Sequence, residues 1–155
     1  MDQAIGSQRT PYVLIAGYGL PGRSLVEILA RGNTEYLVIE LNPQTCERAA
    51  AGGVHIIAGH AADPEVLRRA GVERATLVAL MVPNDDVVLA AIPHIRLVNS
   101  AAHIIARCAF TSTGLEAVCR GADQSIVAEQ VIARELVAIA LPWFPAADST
   151  PNPGR

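Results

Sequence analysis

Along this chain, short apolar runs alternate with segments whose apolar residues recur every three or four positions. "YVLIAG" (12–17) is a continuous apolar run ending in glycine, as a central parallel strand requires. The next segment, "PGRSLVEILAR" (21–31), puts Leu25, Ile28 and Leu29 on one helical face. Pro21 suits its first turn and Gly32 its stop. The alternation then repeats. "YLVIE" (36–40) predicts a second strand, "PQTCERAAAG" (43–52) a short helix, "VHIIAG" (54–59) a third strand and "DPEVLRRAG" (63–71) a third helix capped by Asp63. "ATLVALMV" (75–82) and "HIIARC" (103–108) predict the fourth and fifth strands. Between them, "DDVVLAAIPHIRLVNS" (85–100) reads as a helix that Pro93 should kink by freeing the Leu89 carbonyl. "TSTGLEAVCRGA" (111–122) reads as a fifth helix, and residues 123–141 as a short sixth strand and a final helix.

Six strand–helix units imply a parallel sheet covered on both faces, in three α/β/α layers with right-handed crossovers. The count suits the doubly wound, Rossmann-like strand order 3-2-1-4-5-6. Nothing resembling a linker interrupts residues 11–141, which read as one domain. Residues 1–10 read as a disordered N-terminal segment and 142–155 as a Pro-rich tail.

Composition narrows the function classes. The chain is 51% hydrophobic and 17% charged, which excludes disorder for most of it. A net charge of −3 with no basic tract argues against a nucleic-acid partner, as does an aromatic content of 4%. Cys46, Cys108 and Cys119 have no metal-ligand spacing and read as reduced thiols, and His55, His94 and His103 are scattered singly. No Ser/His/Asp or Cys/His set is arranged for catalysis, so no enzymatic activity is expected. The start, "MDQAIGSQRT", is polar and does not read as a signal peptide. The long apolar stretch near the end carries Glu129, Arg134 and Glu135, so no direct membrane insertion of this chain is expected.

The candidate chemistry lies at the strand ends. Gly17, Gly19 and Gly22 form Gly-x-Gly-x-x-Gly between a strand and a helix. In a dinucleotide fold the first makes the tight turn, the second lets backbone approach a phosphate and the third lets the helix pack on the sheet. A tight turn without a ligand uses the same residues. Two features favour the ligand: the strand–helix context, and Glu40, which ends the next strand 18 positions after Gly22. A carboxylate there accepts from ribose hydroxyls and repels a 2′-phosphate, so NADP should be disfavoured. Tyr18, Leu20 and Pro21 complete the glycine loop, Arg23 sits in the first helical turn, and Leu41 follows Glu40. Gly59, His60 and Ala61 follow the third strand and should lie beside the adenine; His60 suits a base contact or a solvated loop equally. Val82, Pro83 and Asn84 end the fourth strand and should cover the sugar-phosphate across the switch-point crevice. Asp85 and Asp86 suit helix capping better than ligand binding. Arg107, at the end of the fifth strand, needs a partner that a phosphate or an acidic side chain would supply.

Taken together, "VLIAGYGLPGRSL", "GHAADPEVLRRAGVERA", the strand end "IIAR" and "GAD" before the final helix resemble the TrkA-N domain, also called KTN or the N-terminal RCK lobe. The likeness is to the version found in Kef-type potassium/proton antiporters and covers about residues 11–141. It implies a cytoplasmic regulatory domain at the inner face of the membrane, joined to a membrane transporter or antiporter, that binds an adenine nucleotide (AMP, NAD(H), ATP or ADP) and gates ion flux. It places Gly17, Gly19 and Gly22 at the phosphate, Glu40 at the ribose, His60 near adenine and Arg107 facing the phosphates. Leu20 stands where many members carry Arg, and His60 where Asp or Asn is usual. The alternatives are the cofactor domain of an NAD-dependent oxidoreductase and an assembly domain with a vestigial pocket. A twofold homodimer formed largely by the fourth and last helices is expected, the alternative being a monomer whose apolar excess is covered by the tail from Pro142 onward. Val87, Val88, Leu89, Ile92, Ile95, Leu97 and Val98 surround the fourth helix, and Val127, Val131, Ile132, Leu136, Val137 and Ile139 the last, more than one sheet face can cover.

Overall fold

The computed structural model describes residues 10–144; the expected disordered segment up to residue 9 and most of the Pro-rich tail lie outside the described residues. Six strands form one parallel sheet: β1 (Tyr12–Ala16), β2 (Glu35–Glu40), β3 (Ile56–Ala58), β4 (Leu77–Leu80), β5 (His103–Cys108) and β6 (Gln124–Val127). Their order is 3-2-1-4-5-6, the doubly wound Rossmann-like arrangement. The helices are α1 (Leu20–Arg31), α2 (Pro43–Ala51), α3 (Pro64–Arg69), α4 (Asp85–Val98), α5 (Thr111–Cys119) and α6 (Ala128–Ala140). β3 and β4 are shorter than their apolar runs, because residues beyond the ladder still serve the core: Val54 packs under α1's side of the sheet and His55 still accepts from the Val38 N–H.

Alternation along the strands builds two cores. On one face, Leu14, Val78, Leu80, Ile104 and Ala106 meet Leu67 of α3, Val88, Ile92 and Ile95 of α4, and Ala117 of α5. On the other, Val13, Ile15, Tyr36 and Val38 meet Val26 of α1, with Leu25 and Leu29 beside it. This second core ends at Leu77 and Met81 around β4. Beyond it, on the same face, Ile105 of β5 is half-buried and Ile126 of β6 is exposed.

Three local features explain why the sequence stops and turns where it does. Pro93 sits inside α4, and the Leu89 carbonyl it leaves unpaired accepts from Arg120 Nη1 at 3.3 Å. The "GAD" turn closes the far edge. Gly121 has φ +116°, and its carbonyl accepts from Arg96 Nε at 2.7 Å, while Asp123 accepts from Arg96 Nη2 at 2.6 Å and from the Ile104 N–H at 2.7 Å. Asn84, not Asp85, caps α4 by accepting from the Val87 N–H. Asp85 instead ties α4 to the next loop, accepting from the Ala109 N–H at 2.9 Å and from the Thr113 hydroxyl.

The apolar excess on α4 is largely internal, contrary to the expectation from its sequence. Val88, Leu89, Ile92 and Ile95 are buried, and only Leu97 and Val98 stand exposed. The sequence reading that a charge at Ile95 would split a dimer and leave the fold intact fails, because Ile95 is fully buried and the charge would break the core. On α6 the excess is real: none of its residues is buried.

Candidate functional site

The carboxyl ends of β1, β2, β3 and β4 are stitched together by backbone. Gly17 N–H donates to Ile39 O at 2.8 Å, Gly59 N–H to Glu40 O at 2.9 Å and Met81 N–H to Ala16 O at 2.7 Å. The stitched edge frames a cleft of about 340 Å³ lined by Gly17, Tyr18, Gly19, Ile39, Glu40, Leu41, Gly59, His60, Ala61, Val82, Pro83, Asn84 and Val87. That volume falls at the small end of ligand sites. The sheet order puts it at the switch point, between the diverging halves of the fold.

The three glycines divide the work as their positions require. Gly17 has φ +100°, and a Cβ there would stand 3.0 Å from the Met81 carbonyl carbon and the Val82 nitrogen. A Cβ on Gly22 would stand 2.1 Å from the Gly17 oxygen, so Gly22 is what lets α1 sit on the loop. Gly19 differs: a Cβ there would find only Pro21 Cδ, at 4.0 Å. Gly19 is also the N-cap residue of α1, and no side chain caps this helix end. A helix N-terminus of this kind, open on the cleft side, favours an anion through its free N–H groups and dipole.

Glu40 is fixed in place. One carboxylate oxygen accepts from the Tyr18 N–H and the other from the Asn42 N–H, both at 2.9 Å. An ionised carboxylate has about four lone-pair sites, so two remain for vicinal hydroxyls. Behind it, the Cys46 thiol lies 3.5 Å from the Glu40 carbonyl, and burial pushes that thiol's pKa up, which suits an inert packing role. His60 is exposed, and its Nδ1 accepts from the Ala62 N–H at 3.2 Å, which shapes the loop after β3 and leaves Nε2 as the donor.

Of the residues singled out from the sequence, Gly17, Tyr18, Gly19, Glu40, Leu41, His60, Ala61, Val82, Pro83 and Asn84 share the cleft. Leu20, Pro21 and Gly22 belong to α1 and do not line it. Arg23 is exposed in a separate groove with Tyr18, Thr45 and Arg48, which puts it outside the cleft. Arg107 is half-buried at the border; its Nη1 donates to the Val82 carbonyl at 3.3 Å, so backbone answers the need for a partner. Gly59, expected beside the adenine, lines the cleft too, and Ile39 and Val87 line it without having been singled out. A Cβ on Gly59 would stand 2.6 Å from Val66 Cγ1, so only glycine lets α3 pack this close to the end of β3. Among the described residues, no group of three or more His, Cys, Asp or Glu residues could hold a metal ion. Among them, too, no helix is long and apolar enough to cross a membrane.

Comparison with known proteins agrees with this architecture. The TrkA-N domain family model matches residues 13–128. A protein of Escherichia coli described as a cation/proton antiporter, YbaL, is 29% identical over 128 residues; the match takes in 83% of this chain but only 23% of that antiporter. The solved TrkA-N domain of YbaL is 28% identical with a TM-score of 0.79, over 85% of this chain and 98% of that domain. The fold also recurs in Shewanella denitrificans Kef CTD in AMP-bound form (20% identity, TM-score 0.75, 88% of this chain and 82% of that one). It recurs again in the GsuK channel bound to NAD (20%, 0.75, 85% and 24%).

Proposed function

On the premise that the chain belongs to the TrkA-N domain family, we propose that it is a nucleotide-sensing regulatory domain of a cation transport system. The cleft takes the adenylate part of AMP, NAD(H), ADP or ATP. The observation that carries the reading is Glu40, held by two backbone N–H groups at the mouth of a glycine-loop cleft with two lone-pair sites left over. The phosphate lies over Gly19 and the start of α1, the ribose hydroxyls on Glu40, and the adenine against Leu41, His60 and Ala61. Val82, Pro83 and Asn84 close over the sugar from β4. The cleft's size fits one nucleotide unit, so a dinucleotide extends out past Val82 toward Arg107. AMP in the Kef structure and NAD and ADP in the GsuK structures support an adenine nucleotide as the ligand.

The cleft binds and does not transform its ligand: the carboxylate in its lining, Glu40, is held by two backbone N–H groups and spends its remaining lone pairs on the ribose hydroxyls. The domain works at the cytoplasmic face, as a twofold dimer coupled to a cation/proton antiporter or channel. Nucleotide shifts the transporter only through contacts that differ between its states.

The test is thermal. At about a hundredfold excess over Kd, AMP or NAD stabilises the chain by about 2.7 kcal/mol, or about 8 °C. NADP gives a smaller shift, and Glu40→Gln brings the NAD and NADP shifts together by removing the charge that repels the 2′-phosphate. Equal shifts for NAD and NADP in the unaltered chain sink the ribose assignment.

A further inference from the structure

Asp85 follows the three cleft residues Val82, Pro83 and Asn84 but does not itself line the cleft. It opens α4, where an acid ordinarily serves its own helix. Here Asn84 is the cap, and the Asp85 carboxylate crosses to the loop between β5 and α5. Its two oxygens accept from the Ala109 N–H at 2.9 and 3.1 Å, and one of them also accepts from the Thr113 hydroxyl. Arg107, at the end of β5, crosses the other way, its Nη1 donating to the Val82 carbonyl at 3.3 Å. The two crossings clamp the β4 wall of the cleft to the first turn of α5. Asp85 and Thr113 are half-buried, and a bond to a carboxylate is stronger than one between neutral groups.

The Thr113 end of the clamp is movable. A threonine hydroxyl has one proton to donate. The Thr113 oxygen lies in reach of two acceptors, the Asp85 carboxylate and, 2.9 Å away, the Phe110 carbonyl. Donating to Phe110, it closes the first turn of α5 on itself. Donating to Asp85, it ties that turn to the cleft wall. Rotation of one hydroxyl exchanges the two states and leaves the donor satisfied in both.

Beyond Thr113 the contacts continue into α6. At Gly114, α5 rests directly on the end of β6: a Cβ there would stand 2.7 Å from Val127 Cγ2, and Val127 is the N-cap residue of α6. The Thr111 hydroxyl, in the same turn of α5, accepts from Gln130 Nε2 of α6 at 3.0 Å. This turn therefore meets the cleft wall on one side and the start of α6 on the other.

We propose that Asp85 and Thr113 are positioning residues for the cleft: their bond holds the 82–84 wall where a nucleotide needs it, and nucleotide under that wall keeps the bond closed, which passes occupancy on to α5 and the start of α6. A ligand biases a two-state element only through contacts that differ between the states. The differing contact here is the wall, fixed by Thr113 in one state and released by it in the other. Such coupling is reciprocal, so opening the clamp weakens binding by the factor by which binding closes it. The proposal rests on the reading of the cleft as a nucleotide site.

Calorimetric titration of AMP, with amide hydrogen exchange followed by mass spectrometry on the 155-residue chain, tests it. Thr113→Val removes the hydroxyl and keeps the shape; Thr113→Ser keeps the hydroxyl. In the unaltered chain AMP slows exchange over residues 82–88, 109–116 and 128–132. Thr113→Val binds AMP about tenfold more weakly, and AMP then slows residues 82–88 alone. Thr113→Ser restores both. Asp85→Ala opens the clamp from its other end, and adding Thr113→Val to it costs no further affinity, as expected of two halves of one contact. Additive losses, a Thr113→Ser chain that restores nothing, or a Thr113→Val chain that binds AMP as tightly as the unaltered one overturns the clamp. AMP binding in the unaltered chain that protects nothing beyond residue 88 also overturns it and leaves the nucleotide reading standing. No AMP binding in the unaltered chain overturns both.

Discussion

At the level of single residues, the glycine loop shows how one motif hides three physical tasks. Gly22 is a packing residue, because a Cβ there meets the Gly17 oxygen at 2.1 Å. Gly22→Ala must push α1 off the loop; overpacking of this kind costs about 1–3 kcal/mol. The expected outcome is a fall in Tm of about 3–9 °C in a thermal melt. Gly19→Ala, whose Cβ meets open space, should melt within about 2 °C of the unaltered chain, as surface changes do. Equal losses at the two sites contradict this division. The place of Glu40 at the end of the second strand, beside the glycine loop, was legible from its spacing alone. That its charge also organises Tyr18 and Asn42 was not, because backbone N–H partners leave no trace in side-chain pattern. Arg23 misled for a related reason: its place in the first turn of α1 is right, but helical rotation directs it into the groove with Arg48.

Among the elements, the strands and helices were legible because continuous apolar runs alternate with segments of helical period, several of them bounded by glycine or proline. What could not be read was how buried a run would be. The α4 sequence is apolar on several sides, yet the structure covers most of it with α3, α5 and the sheet. The far edge shows a charge device that the "GAD" string only hinted at. The Ile104 N–H, and after it Arg96, hold the Asp123 carboxyl below its ordinary pKa. A depressed carboxylate contributes stability that is present above its unfolded pKa and lost as pH falls through its folded value. With Asp123 40% exposed, that contribution is about 1 kcal/mol. Asp123→Asn should therefore melt about 3 °C lower than the unaltered chain at pH 7, and the gap should close as pH falls below the usual carboxylate range. A gap that stays constant down to that range rules out the charge as its cause.

For the whole molecule, the strand order and the position of the cleft followed from alternation and from where the glycines fall. Assembly did not follow so directly. The sequence showed too many apolar residues on α4 and α6 alike; only the backbone shows that β6 runs into α6 without a turn and that one sheet face lacks its cover over β5 and β6. The central claim is that the cleft between Glu40, Gly19 and Val82 binds an adenine nucleotide. Isothermal titration calorimetry of AMP into the unaltered chain and into Gly19→Asp tests it most directly. A Cβ at residue 19 meets only Pro21 Cδ, 4.0 Å away, so the variant should keep its fold while setting a carboxylate beside the proposed phosphate. The expected result is one AMP per chain for the unaltered protein and at least a hundredfold weaker binding for Gly19→Asp. No heat of binding from millimolar AMP, or undiminished binding in the variant, would contradict it.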